Sequence, residues 1–344
     1  MSEICALLYS ILEIASESGD QSAMQTFLFS YGEQMGYICD SDAEGNIYMT
    51  KGTAESYPCA VAHMDTVHAI EDGGITILLI DGKLTGFNPK TMEQTGIGGD
   101  DKCGIYAALR AMLALPECKA VFFVDEEIGC RGSGDCDIDF FKDCRYVLQA
   151  DRRGAFDWVT DISGPLGSEA FQEAVAPHLG AHGFKPVNGM MSDVMALRDS
   201  NVGVSVANMS AAYYNPHQRC EYIHIAELEN VISLMIAIMT NVTATFPFTY
   251  EWKPKSLYAP TASRRSLYKD SQEELWENSL GGMWHDDTFG LSDITCDACP
   301  NGGFALIEMT EYEGSALCPD CAEKYIPKFD TVRASKGGKK RRYV

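Results

Sequence analysis

Apolar residues recur at three- and four-residue spacing in two segments of residues 1–36, interrupted at SESGD. That period predicts two amphipathic helices. YICDSDAEGNIYMTK (37–51) alternates instead and reads as a hairpin around a Gly-Asn turn. CAVAHMD (59–65) predicts a short buried strand, and ITILLIDGKLTGF (75–87) a strand pair turning at Asp81-Gly82. DDKCGIYAALRAMLAL has an acidic start, helical spacing and a proline just beyond its end, as a helix should. KAVFFVDEE and RYVLQAD are continuous apolar runs that end in acids. A helix-like SEAFQEAVAPHLGAHG follows, then SDVMALRDS, the strand VGVSVANMS and the long helix AELENVISLMIAIMTNV. Strands alternating with helices predict an α/β sandwich with a mostly parallel central sheet between helix layers.

The pattern weakens after this. Residues 1–250 read as one α/β domain, 251–290 as a linker, 291–328 as a small separate unit and 329–344 as a basic tail ending KKRRYV. There is no internal repeat. The chain of 344 residues has an ordinary apolar fraction of 46% and a formal net charge of −22. A polyanion would be repelled by the main body, so nucleic acid is excluded as a general partner, leaving only the small C-terminal unit and the basic tail as a route to it. No apolar run approaches the ~18 residues of a membrane span. MSEICALLYSILEIASESGD has acids where a signal peptide needs basic residues, so a cytoplasmic protein is expected. Most of the thirteen cysteines are scattered singly, as small buried hydrophobes of a reducing compartment would be.

Candidate chemistry gathers where the predicted strands end. His63 and Asp65 close one apolar run; Asp100 and Asp101 precede a helix. Glu126 and Glu127 end a Val-Phe-Phe-Val strand, Asp151 ends VLQAD, and His217 lies in YYNPHQRCEY. Each has an ordinary structural reading: a satisfied pair, a helix N-cap, a solvated face, a surface histidine. Yet ligand sites of open α/β sheets form outside the carboxyl ends of the strands. Five segments there offer imidazole and carboxylate groups, which suit zinc.

The ordered series HMD, GDDKCG, DEEIGCRGSG, ADRRG, SDVMAL and NPHQ resembles the co-catalytic zinc peptidases around peptidase T and their relatives, the acetylornithine deacetylases. It is more distantly similar to the zinc aminopeptidases that lack a lid. The resemblance implies a zinc exopeptidase-like fold with one Zn2+ on His63, Asp100 and Asp151. It implies a second on Glu127 and His217, with Asp100 rather than Asp101 bridging both. Asp65 would orient His63, and Glu126 would be the general base. The activity implied is metallopeptidase hydrolysis, of aminopeptidase type because an open acidic edge suits a free amino terminus. An N-acyl amino acid amidohydrolase would use the same groups, and a non-catalytic adaptor acting through the C-terminal unit is the alternative from another class. The family's lid domain has no room between Asp151 and Asp193, so its oxyanion and substrate contacts need replacements. Tyr213 or Tyr214 could donate to the oxyanion, and Arg152 or Arg153 could bind substrate; packing or surface roles are the plain alternatives.

Cys296, Cys299, Cys318 and Cys321 form two CxxC pairs separated by residues 300–317. Two such knuckles present four thiolates to a tetrahedral ion, so a zinc ribbon with one structural Zn2+ is expected. Two disulfides or a redox pair are the alternatives. A ribbon this small has too little core to fold unaided, so metal would supply its folding energy.

Overall fold

The structure, a computed structural model, describes residues 3–251 and, further along, residues 310–312 and 315–317. The chain divides into two units, Met1–Pro254 and Lys255–Val344.

Helices α1 (Glu3–Leu12) and α2 (Ser22–Gln34) open the first unit, as the helical period predicts. Strands β1 (Ile38–Ser41) and β2 (Ile47–Lys51) form the expected hairpin. Its turn is held by Asp42, whose carboxylate accepts from the backbone N–H groups of Glu44, Gly45 and Asn46. After β3 (Tyr57–His63), strands β4 (Thr76–Ile80) and β5 (Lys83–Asn88) pair antiparallel. Asp81 and Gly82 between them take φ of 49° and 78°, the left-handed pair that a two-residue hairpin turn requires. The chain continues through β6 (Glu93–Thr95), α3 (Gly99–Ala114), β7 (Cys118–Phe123), the single turn α4 (Arg131–Gly134) and β8 (Cys144–Arg152). Then come β9 (Asp157–Asp161), α5 (Glu169–His182), β10 (Lys185–Asn188), α6 (Asp193–Asp199) and β11 (Val206–Ser210). Finally β12 (Tyr213–Tyr214) and β13 (Tyr222–His224) lead into α7 (Ile225–Asn241).

Eight strands form the main sheet in the order β1-β2-β7-β3-β8-β11-β9-β10. The central run β7-β3-β8-β11 is parallel throughout, while β1, β2 and the β9–β11 pairing are antiparallel. A smaller sheet, β12-β13-β5-β4 with β6 on β5, stands beside the carboxyl ends of that run. Alternation along β3 serves two cores: Ala60 and Ala62 pack with α1, α2, α3 and α7, while Cys59 and Val61 pack with α6 and Phe141. Burial on both faces is why β3 and β7 read as unbroken apolar runs. Among the described residues no helix is long and apolar enough to cross a membrane.

The described residues of the second unit form an antiparallel hairpin, β14 (Thr310–Tyr312) with β15 (Ser315–Leu317). Cys296, Cys299, Cys318 and Cys321, the linker and the basic tail lie outside the described residues.

Candidate metal centre

His63 is the last residue of β3, in register with Phe123 at the end of β7, while Asp151 is the penultimate residue of β8. The parallel pairing therefore delivers one imidazole and one carboxylate to the same sheet edge. Asp100 arrives from the start of α3, where the dihedrals of Asp100 and Asp101 are not yet helical and the peptide between them is cis. His217 comes from the loop between β12 and β13 at φ 62°, a conformation that costs a non-glycine residue energy and so has to be held by its surroundings. Arg219 anchors the same loop by pairing with Glu71 at 3.1 Å and Glu93 at 3.0 Å.

These side chains converge as two overlapping groups. His63 Nε2 lies 3.3 Å from Asp100 Oδ1 and 3.5 Å from Asp151 Oδ1. His217 Nε2 lies 3.4 Å from Asp100 Oδ2 and 3.0 Å from Glu127 Oε1. In each group the donor atoms all fall within 4.8 Å of one another. Donors at zinc bonding distance, ~2.0–2.1 Å in tetrahedral array, sit about 3.3 Å apart, so both groups fit a cation. Asp100 gives one oxygen to each group, the arrangement a bridging carboxylate adopts. His63 is 1% exposed and His217 49%, so the first group is sealed and the second faces solvent.

Asp65 ties the cluster together from behind. Its Oδ1 is 3.3 Å from His63 Nδ1, and its own carbonyl oxygen is 3.0 Å from the same nitrogen. Its carboxylate also accepts from Ser18 Oγ at 2.8 Å and from the backbone N–H groups of Glu126 at 2.9 Å and Glu127 at 3.2 Å. One fully buried residue thus fixes an imidazole and aims two neighbouring glutamates. Glu126 belongs to neither donor group; its Oε1 accepts from Cys130 Sγ at 3.4 Å.

Burial and mutual proximity shift the titration of these groups. Burial, with Asp151 and Glu127 close by, pushes the Glu126 carboxyl up to about 9. Burial likewise pushes Asp151 up to about 8, against the pull of His63. Asp100 is held well below the usual carboxylate range because hydrogen bonds from His217 and His63 outweigh its burial. Its carboxylate and Glu127 in turn push His217 up to about 10. So many buried carboxyls repel one another, and a cation held among them would favour their ionised forms.

Tyr213 is buried and donates to Asp151 Oδ1 at 3.3 Å, so its hydroxyl is already engaged with a carboxylate of the cluster. Tyr214 points elsewhere: it stacks on Tyr222 with ring centroids 4.9 Å apart and donates to Glu227. Arg152 is committed to Asp157 at 2.7 Å, and Arg153 is partly buried beside it, its pKa lowered by burial and by Arg152. Asp101, weighed against Asp100 as the bridge, turns inward: it is fully buried and accepts from the N–H groups of Gly104 and His63. Two further acids are given no role by the sequence reading. Asp193 of SDVMAL is fully buried and accepts from Gln149 Nε2 at 2.8 Å. Glu221, four residues after His217, is fully buried and accepts three backbone N–H groups of the segment leading into α3. Its only sequence signal is an acid standing immediately before a short β-rich segment.

Solved structures of related architecture include aminopeptidase PepT from Bacillus cereus, at 15% identity over 70% of this chain and 98% of that one, with a TM-score of 0.58. A tripeptidase from Staphylococcus aureus matches at 14% identity over 69% and 96%, with a TM-score of 0.56. An aminopeptidase from the archaeon Desulfurococcus kamchatkensis matches at 15% identity over 71% and 95%, with a TM-score of 0.53. No protein-family model and no curated protein matches the sequence. The path from Asp151 to His217 runs through β9, α5, β10, α6, β11 and β12 with no inserted domain. What the chain shares with these structures is its fold, a mostly parallel sheet between helices of the zinc exopeptidase type.

Proposed function

We propose that this chain is a di-zinc exopeptidase of aminopeptidase type with Glu126 as its general base. The observation that carries this reading is the division of the Asp100 oxygens between two donor groups, with a further carboxylate beside them that neither group uses. Aminopeptidases and a tripeptidase among the structures sharing the fold support it. His63, Asp100 and Asp151 would hold one ion; Asp100, Glu127 and His217 would hold the other. Bound together, two such ions lower the pKa of a shared water and polarise the carbonyl to be cleaved.

The remaining work falls to the chain itself. Asp65 keeps the His63 ring turned into the cluster and holds the Glu126–Glu127 turn through its N–H groups. Glu126, a buried carboxyl beside the donor groups and a member of neither, is placed to take a proton from water and return it to the leaving amine. Tyr213 supports Asp151 by hydrogen bond. The open, acidic edge favours a substrate with a free, positively charged amino terminus over an N-acylated one. None of the eight described cysteines is paired, which suits the reducing cytoplasm.

Full-length protein assayed on aminoacyl amides and on N-acyl amino acids separates the two hydrolytic readings. Turnover of the amides, lost in Glu126→Gln, is expected. Turnover of N-acyl substrates alone would assign the site to an amidohydrolase.

We assign a third, structural zinc to Cys296, Cys299, Cys318 and Cys321, with the β14–β15 hairpin falling in the stretch between the two pairs. Zinc per chain is expected to fall from three to two when the four cysteines become serine. An unchanged count would remove the ribbon assignment and leave the catalytic one standing.

A further inference from the structure

We infer that Glu221 is a positioning residue that locks the Asp100 segment to the His217 loop, so that the outer cation site forms as one unit. The inference rests on the reading of Asp100, Glu127 and His217 as ligands of that site.

The two donor groups are held in different ways. His63 and Asp151 belong to β3 and β8, neighbours in the centre of the main sheet, where the ladder fixes them. Asp100 and His217 come from loop segments instead. Asp100 precedes the regular part of α3, whose first N–H groups have no partner within the helix. His217 sits in a turn with positive φ at both Asn215 and His217. Something must hold these two segments in register, and Glu221 joins both.

Its Oε2 accepts from the N–H of Ile97 at 3.1 Å and of Gly98 at 2.8 Å, and its Oε1 from the N–H of Asp100 at 3.1 Å. Three backbone donors, one of them on the bridging aspartate itself, therefore converge on one carboxylate. Its own N–H closes the His217 turn by donating to the Gln218 carbonyl at 3.0 Å, and the Gln218 N–H donates to Asn215. The sequence makes room for this approach. A Cβ on Gly99 would lie 3.2 Å from Glu221 Oε1 and 2.7 Å from Tyr213 Cβ, so a side chain there would push the segment off the carboxylate.

A carboxylate that only capped these N–H groups would lower stability when removed and leave the relative affinities of the ions alone. A positioning residue changes one site selectively. The test uses full-length protein stripped of metal by chelator and dialysed against graded free zinc, with His217→Ala run in parallel to mark loss of the outer site. Glu221→Gln keeps the side-chain size but brings an amide N–H2 against the backbone donors. It is expected to resemble His217→Ala: one zinc per chain lost at free-zinc levels that keep the wild type fully loaded, affinity of the outer site down at least ~10-fold, and the inner site, which keeps His63 and Asp151 on the sheet, weakened clearly less. Glu221→Asp keeps the charge and is expected to fall between wild type and Glu221→Gln; it serves as the test if the latter does not fold. Wild-type zinc affinity in both variants, or parallel loss of inner and outer sites, would overturn the inference. A wild-type protein that takes up no pair of ions through Asp100 would overturn the peptidase reading as well, and that outcome is read from the wild type alone.

Discussion

Asp65 does two jobs with one carboxylate: it orients His63 and anchors the turn that carries Glu126 and Glu127. Being ionised suits both, and its pKa is lowered because hydrogen bonds from His63, Ser18 and the Glu126 N–H outweigh its burial. Glu126 is the opposite case. A carboxyl pushed from 4.5 to about 9 by burial keeps its proton in the folded state over a range where the unfolded chain has released it. The folded state then binds more protons than the unfolded one, so in metal-free protein this group makes stability fall as pH rises through that window. Glu126→Gln removes the effect. Metal-free Glu126→Gln is expected to melt above metal-free wild type at pH 8 by roughly 2–4 °C per kcal/mol regained, with the gap closing at pH 4. The zinc-loaded variant should lose ~10²–10⁴-fold in turnover. Equal melting temperatures at pH 8 would show that Glu126 is not held in a desolvated position.

At the scale of elements, the strand ends and the start of α3 were legible because charge is costly after an apolar run and has to be matched by something. The turn at Asp81-Gly82 and the helices α5 and α7 were legible from turn chemistry and period. Strands β9 and β10 were not. Strand β10 carries Pro186 and is almost entirely exposed, while β9 reverses direction against β11; both owe their state to neighbours distant in sequence. The partner of Asp65 at Ser18 and the backbone donors gathered by Glu221 are equally non-local. The second glycine of GDDKCG, in contrast, has a definite task. A Cβ on Gly104 would lie 2.3 Å from both Asp101 carboxylate oxygens and 2.4 Å from the Ala150 carbonyl. Gly104→Ala is therefore expected to push α3 away from β8, costing ~1–3 kcal/mol and most of the activity, because Asp100 and Asp151 flank the contact. Gly180→Ala in α5, with nothing within 4 Å of the new Cβ, should gain ~0.5–1 kcal/mol and leave activity alone. Equal unfolding midpoints for the two variants would contradict this packing.

For the whole molecule, the architecture follows from a sheet buried on both faces, whose central parallel strands bring their carboxyl ends to one edge. The sequence announces that edge through eight ionisable groups spread over five segments. What it leaves open is what surrounds them. With no lid domain between Asp151 and His217, one histidine stays half-exposed on a loop held by Glu221 and Arg219. The proposed chemistry requires two cations sharing Asp100. X-ray diffraction at the zinc absorption edge, from crystals of the full chain grown with zinc, tests it most directly. Two anomalous peaks ~3.5–4 Å apart are expected, one among His63, Asp100 and Asp151 and the other among Asp100, Glu127 and His217. A single peak, or none within bonding distance of Asp100, would contradict it.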